Sequence, residues 1–262
     1  MNEEPNRFRV LLGQIGLAVA VLVAWQLASG TLVPTLFISS PLEVASKFAE
    51  LAASGKLVFH ASLTAMHAVG GFLLGAVTGL AAGLVLGRLR ALAQILDPFI
   101  LSFYSLPKVA LAPLFVLWFG IGSGMKVLFV AMIVFLLVFL NTYTGVRNVS
   151  PEQVAIMRLM RATEAQITWK VILPSAVTWV FAGLRLSVPY ALIGAIIGEM
   201  VASNRGLGYV LADASAQFDT GGAFAALAAI IIMAITLNGA VRLLERVAMP
   251  WRAIEMNREM SI

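Results

Sequence analysis

The chain has 262 residues, 60% of them hydrophobic and 12% charged, where soluble domains run to roughly 25% charged and 45–50% apolar. That balance excludes an ordinary soluble domain and calls for burial in a bilayer. The formal charge of +5 comes from basic residues gathered at the edges of apolar runs, beside anionic headgroups, so it is no argument for nucleic acid; the lack of cysteine excludes disulfides, thiolate metal sites and thiol catalysis.

A helix needs roughly 20 apolar residues to cross a hydrocarbon core of about 30 Å. Reading from one charge to the next, candidate spans fall at about 10–28, 61–87, 98–119, 127–146, 174–199 and 220–241. The expected fold class is therefore an all-α integral membrane protein, one transmembrane domain over residues 1–262 with six helices and both termini on one side. Lys and Arg excess marks the cytoplasmic side. With both termini cytoplasmic, the inner set is Arg7, Arg9, Arg88, Arg90, Arg147, Arg158, Arg161, Lys170, Arg242, Arg246, Arg252 and Arg258, against Lys47, Lys56, Lys126 and Arg205 outside. Twelve against four decides the orientation.

The first span follows two arginines, as a secretory signal would. Its apolar run is longer than a usual signal core, and QLASGTLVP offers no clean small-x-small cleavage site. The outer connection that follows contains SPLEVASKFAELAASG, in which Ser40 caps a short helix, Pro41 fits its first turn and Gly55 ends it. Leu42, Val44, Phe48 and Leu51 lean to one face, which predicts an interfacial helix. In the second span Gly71, Gly75, Gly79, Gly83 and Gly87 recur every four residues. That spacing lays them along one helical face and predicts a close helix–helix seam.

The third span holds Lys108, 11 residues beyond Asp97, which is about 16 Å of helical rise; Pro107 and Pro113 flank it and favour local unwinding. A charge at such depth faces protein or water. Arg185 lies at similar depth in the fifth span, 11 residues past Pro174, and Glu199 closes that span on the outer side. Ser102, Tyr104, Ser105, Asn141 and Tyr143 add polar atoms to apolar helices, where they either line a path or bond between helices. FGIGSGMKV does not satisfy the phosphate-loop pattern, because Met125 separates Gly124 from Lys126 and Val127 follows the lysine. His60 and His67 are seven apart with no third ligand in register, so no metal site is expected. A second outer connection, residues 201–222, carries glycines and mild amphipathicity that predict a small helix or hairpin pressed on the membrane.

Residues 150–176, SPEQVAIMRLMRATEAQITWKVILPSA, interrupt this apolar pattern with Arg158, Arg161 and Lys170 against Glu152 and Glu164. Two capping signals divide the insert into two short helices: Ser150 with Gln153, Pro151 taking the first helical position, and Thr163 with Gln166. Val154, Met157 and Met160 form a stripe on the first; Ile167 and Val171, with Trp169 beside them, serve the second. Pro174 is expected to end the run before the fifth span. Helices this short are unstable alone, so their apolar stripes require a docking surface.

The VILP ending of the insert, residues 171–174, resembles the end of the cytoplasmic EAA loop of ABC importer permeases, E-A-A-x3-G-x9-I-x-L-P. In that register the family glycine falls on Arg161 and the E-A-A triplet on Ala155, Ile156 and Met157, so the Leu-Pro end matches and the front does not. FISSPLEV, DPFILSFYSLPKVALAPLFVLWFGIG, NTYTGVRNVSPE, AGLRLS, RGLGYVLADASAQFDT and LERVAMPWR are similar to the nitrate/sulfonate/taurine type of permease, over about residues 37–252.

The resemblance implies a type I importer permease fold with a coupling-helix loop at 147–173. It implies a homodimer that forms the path for a small solute (sulfonate, taurine, nitrate or similar), with two separate ATP-binding subunits that hold ATP and Mg and an extracellular solute-binding protein. The chain itself would be no enzyme, carry no cofactor and lie in the bacterial inner membrane. Met157, Arg158, Arg161, Ala162 and Thr163 are the expected ATPase-coupling residues. Ser102, Tyr104, Ser105, Lys108, Asn141, Arg185 and Glu199 are the expected path residues, with Glu199 favoured as a gate or loop anchor because a carboxylate repels anions. The competing readings are an ion-gradient-driven transporter or channel without an ATPase, and a membrane scaffold without a path.

Overall fold

A computed structural model describes residues 7–248; Arg252 and Arg258 of the inner basic set, and residues 249–252 of the family resemblance, lie outside the described residues. The order is α1 (Arg7–Ala28), α2 (Pro41–Ala53), α3 (Lys56–Arg88), α4 (Arg90–Ser105), a 3-10 turn (Lys108–Leu111), α5 (Ala112–Phe119), α6 (Ser123–Arg147), α7 (Pro151–Leu159), α8 (Glu164–Ile167), a π segment (Thr168–Ile172), α9 (Leu173–Ala202), α10 (Leu207–Ala216) and α11 (Thr220–Ala248). Among the described residues the only β-type pairing is an isolated bridge between Ser29 and Val33. Five helices among the described residues are long and apolar enough to cross a membrane, and a sixth span arises if α4 and the 3-10/α5 segment are counted together.

The centre is built by α3, α6 and α9. On α3 the five glycines face a row on α6 with the same spacing of four, Val130, Val134, Val138, Thr142 and Val146. A Cβ at Gly83 would stand 2.7 Å from Thr142 Cβ, one at Gly87 2.7 Å from Val146 Cβ, and one at Gly75 would strike the Ala131 carbonyl. Bare backbone on one helix thus accepts branched side chains from the other, the close approach the glycine spacing predicts. Ala68, Ala76, Ala191, Leu192 and Ala195 complete this core around Val130, Val134 and Val138. A second core joins Ala112 and Phe115 of α5 to Met125, Phe129 and Ile133 of α6 and Ala202 of α9. By contrast, Phe8 through Ala24 of α1 are exposed; its C-terminal end is tied down by Trp25 Nε1, which donates to the Ser39 carbonyl at 2.7 Å, and by Trp25 packed on Phe224.

Two expectations are corrected. Residues 98–119 are not one helix: α4 begins already at Arg90, ends at Ser105, and the segment from Lys108 to Phe119 turns away by 85°. The proline supplies the cause, since Leu106 before Pro107 is held extended (φ −64, ψ 136) and the α conformation is disfavoured there. Nor does Pro174 end the helix of the insert. The helix runs through Glu164–Ala202 without a break, because the wider π turn at Thr168–Ile172 accommodates the ring and the missing N–H that would disrupt an α ladder.

Candidate functional site

The chemistry-bearing residues fall at the two ends of the bundle and at the bend. At one end, α7 and α8 form a projecting knob. Ser150 Oγ accepts from the Gln153 amide at 3.4 Å, and Pro151 opens α7. Thr163 Oγ1 accepts from the Gln166 amide at 3.3 Å while Gln166 Oε1 accepts from the Thr163 amide at 2.8 Å, a complete capping box on α8. Between the two caps α7 closes by paired bonds, the Arg161 amide to the Arg158 carbonyl (2.9 Å) and the Ala162 amide to the Met157 carbonyl (3.0 Å). This is a Schellman closure, whose left-handed residue is usually glycine. Here it is Arg161, at φ 57.

The five expected coupling residues are therefore brought together in one turn. Met157 and Ala162 are half-buried, and Arg158, Arg161 and Thr163 are exposed. Glu164 receives both Arg88 from the end of α3 (3.4 Å) and Arg158 (3.2 Å), while Ile167 is fully buried and seats the knob. Of the expected apolar stripe, Val154 and Met157 are half-buried but Met160 is 73% exposed, together with Leu159 at 85% and Trp169 at 73%. Beside the knob a cleft of ≈ 1080 Å³ opens between Arg88, Gln94, Arg147, Ala155 and Arg158.

The seven expected path residues do not converge within the chain. Ser102 and Ser105 lie on exposed α4, each hydroxyl turned back to a helix carbonyl, Pro98 and Leu101. Lys108 sits in the 3-10 turn at the bend, where Nζ donates to the Tyr104 carbonyl at 2.9 Å and stands 4.8 Å from the centre of the Tyr104 ring. Asn141 donates to the Leu137 carbonyl at 2.8 Å and packs against Gly183 of α9. Arg185 is paired with Glu245 of α11, a carboxylate 8% exposed.

Glu199 has no solvent exposure. Its carboxylate accepts from Thr64 Oγ1 (2.8 Å) and the Gly208 amide (2.9 Å) and meets His67 Nδ1 at 2.8 Å. The next amides of the loop are held by α3: Leu207 N donates to Thr64 Oγ1 at 2.8 Å and Gly206 N to His60 Nδ1 at 3.0 Å. Three consecutive free donors at the start of α10 are thus satisfied by side chains from other helices, with a carboxylate at the positive end of the helix. A Cβ at Gly206 would collide with the Glu199 carboxyl group, and Gly206 is at φ 103, so only glycine fits there.

Several residues escaped the sequence reading as members of these networks, Thr64 of the Glu199 cluster among them. Lys126 lies inside α6, is 5% exposed and donates to Ser203 Oγ at 2.8 Å. Asp97 accepts from Tyr143 and from Arg147 (3.1 Å), tying α4 to the end of α6. Glu245 is the acceptor of Arg185. Only the four-residue spacing of Tyr143 and Arg147, one above the other on a helix, signalled any of this in the sequence.

Residues 71–250 match the model of the binding-protein-dependent transport system inner membrane component family. The chain belongs to that family. This permease is 33% identical over 254 residues to the putative aliphatic sulfonates transport permease protein SsuC of Bacillus subtilis, covering 96% of this chain and 92% of the relative. It is 37% identical over 244 residues to the riboflavin transport system permease protein RibX of Chloroflexus aurantiacus (91% of each). With the taurine transport system permease protein TauC of Escherichia coli the identity is 30% over 252 residues, 94% of this chain and 92% of the other. In fold it is similar to a chain of the inward-facing MetNI methionine ABC transporter, at TM-score 0.61 and 17% identity over 71% of this chain and 92% of that one. An amino acid ABC transporter chain gives TM-score 0.62 at 16% identity, over 76% and 96%. The permease is thus the transmembrane subunit of an ABC importer, with the all-helical type I permease fold.

Proposed function

We propose that two copies of this permease form the translocation path for a small polar solute, a sulfonate, taurine, nitrate or a similar compound, handed over by an extracellular binding protein. Two separate ATP-binding subunits hold ATP and Mg and grip the α7–α8 knob from the cytoplasm. Both termini on that side is the reading supported by an even number of spans, counting the bent α4–α5 pair as one, and by the Lys and Arg excess. The observation that carries this reading is the knob itself: an internally capped, Schellman-closed projection whose Leu159, Met160 and Trp169 stand in solvent within the chain. Short helices with uncovered apolar tips gain stability from a partner surface. A motor on the knob shifts the spans only if ATP changes its affinity for one arrangement over the other.

The solute class is supported by the named cargoes of the sulfonate and taurine relatives and by Lys108, a cation at the bend of the third span. RibX, whose name gives riboflavin, is a relative of equal standing, so the cargo assignment rests on binding measurements with the cognate extracellular receptor. Single cysteines at Met157, Arg158, Arg161, Ala162 and Thr163 are expected to crosslink to the co-purified ATP-binding subunit. Silence at all five refutes the docking. Proteoliposomes that accumulate solute at full rate on an ion gradient, without any ATP-binding subunit, refute the importer reading in favour of a secondary transporter.

A further inference from the structure

An L residue in the left-handed region is disfavoured by its Cβ, and such strain clusters at functional sites. Arg161 carries that strain at φ 57 in a position where glycine would carry none. Within the chain the side chain returns nothing for it: Arg161 is exposed, and no hydrogen bond or ion pair of its side chain occurs among the described residues. Its neighbours are otherwise engaged. Arg158 and Arg88 share Glu164, leaving that cluster with two positive charges against one negative. Arg161 follows directly in the chain on the two exposed apolar residues Leu159 and Met160, and a guanidinium next to apolar residues suits an ion pair with a planar carboxylate once a partner covers them. Glu152 lies at the opposite end of α7 and does not offset it.

We propose that Arg161 sets the charge specificity of the knob, and that it meets an aspartate or glutamate in the groove of the ATP-binding subunit. The inference rests on the docking proposed above and adds to it the chemistry of the partner surface. A protein groove suits this tip better than an anionic membrane surface. The unbroken Glu164–Ala202 helix of 39 residues is about 58 Å long, well beyond the roughly 30 Å hydrocarbon core, and carries the tip away from the bilayer. A permease with this tip pairs with acid-lined ATPases and rejects those whose groove presents a cation.

The test uses the full permease co-expressed with its ATP-binding subunit, with the affinity of the two measured in detergent across a salt series. Arg161→Gly removes the charge and relieves the turn; Arg161→Lys keeps the charge in the same backbone. The expected result for Arg161→Gly is about a tenfold or greater loss of affinity with a flatter salt dependence, and for Arg161→Lys a smaller loss with the salt dependence retained. Unchanged or tighter binding by Arg161→Gly overturns the proposal, since the turn is then better made and the charge was idle. A cysteine at Met160 in the Arg161→Gly background separates the two claims. Crosslinking with unchanged affinity refutes the ion pair alone, whereas no crosslink and no complex in the parent refutes the docking. If Arg161→Gly instead leaves ATPase binding intact and lowers binding to phosphatidylglycerol vesicles, the arginine reads lipid headgroups and the proposal fails.

Discussion

Glu199 exchanges water for Thr64, His67 and the Gly208 amide, all drawn from residues that are themselves buried. Removing Glu199 from such a set leaves a hydroxyl, a ring nitrogen and an amide unpaired, at a cost of about 1–3 kcal/mol for each buried polar group. Glu199→Ala is expected to lower the thermal midpoint of the detergent-solubilised permease sharply and to expose residues 203–208 to protease, and Thr64→Val to cost about 1–3 kcal/mol. Lys108, half-buried at the bend, behaves differently. Lys108→Ala is expected to lower solute-stimulated uptake more than basal ATP hydrolysis and to leave the thermal midpoint in place; equal loss of uptake and hydrolysis would assign it to structure. The charge of Glu199 and its place at the end of a span favoured it in the sequence as a gate or loop anchor over a ligand for an anion. Its partners lie 132 and 135 residues away, and no local pattern connects them. Ser40, Ser150 and Thr163 were legible as caps because their bonds close within three residues.

Between elements, the seam of α3 and α6 depends on what is missing from α3. Gly75→Val would drive a branched side chain into the Ala131 carbonyl and Val134, and overpacking of this kind costs about 1–3 kcal/mol or more. The expected outcome is loss of the monodisperse peak in gel filtration, while Gly13→Ala, which meets nothing within 4 Å, leaves the peak unchanged. The periodic glycines showed the seam in the sequence, because a repeat of four survives any choice of neighbour. Local unwinding beside Pro107 was legible, but the 85° angle of the bend and the helix carried past Pro174 were not. Proline both ends helices and is tolerated within them, and the outcome turns on whether a neighbouring turn can widen, as the π segment does here.

For the molecule as a whole, the composition and the uncharged runs were enough to place it in a membrane, and the Leu-Pro ending of the insert tied it to a family. The convergence of path residues was not legible and does not occur within one chain: Lys108, Asn141, Arg185 and Glu199 belong to separate neighbourhoods. A path assembled by two copies predicts that solute uptake in proteoliposomes is abolished when the permease is reconstituted at one copy per particle, and that flux stops on omission of ATP or the ATP-binding subunit. The 39-residue helix from Glu164 to Ala202 has a mechanical corollary. One end of it lies within the knob, and near the other Glu199 is bonded to the Gly208 amide of α10, so a single continuous rod of about 58 Å joins the two neighbourhoods. Under the docking proposed above, a rocking of about 5° over that length would displace one tip against the other by about 5 Å, so a push on the knob would reach the start of α10 without any intermediate part having to unfold.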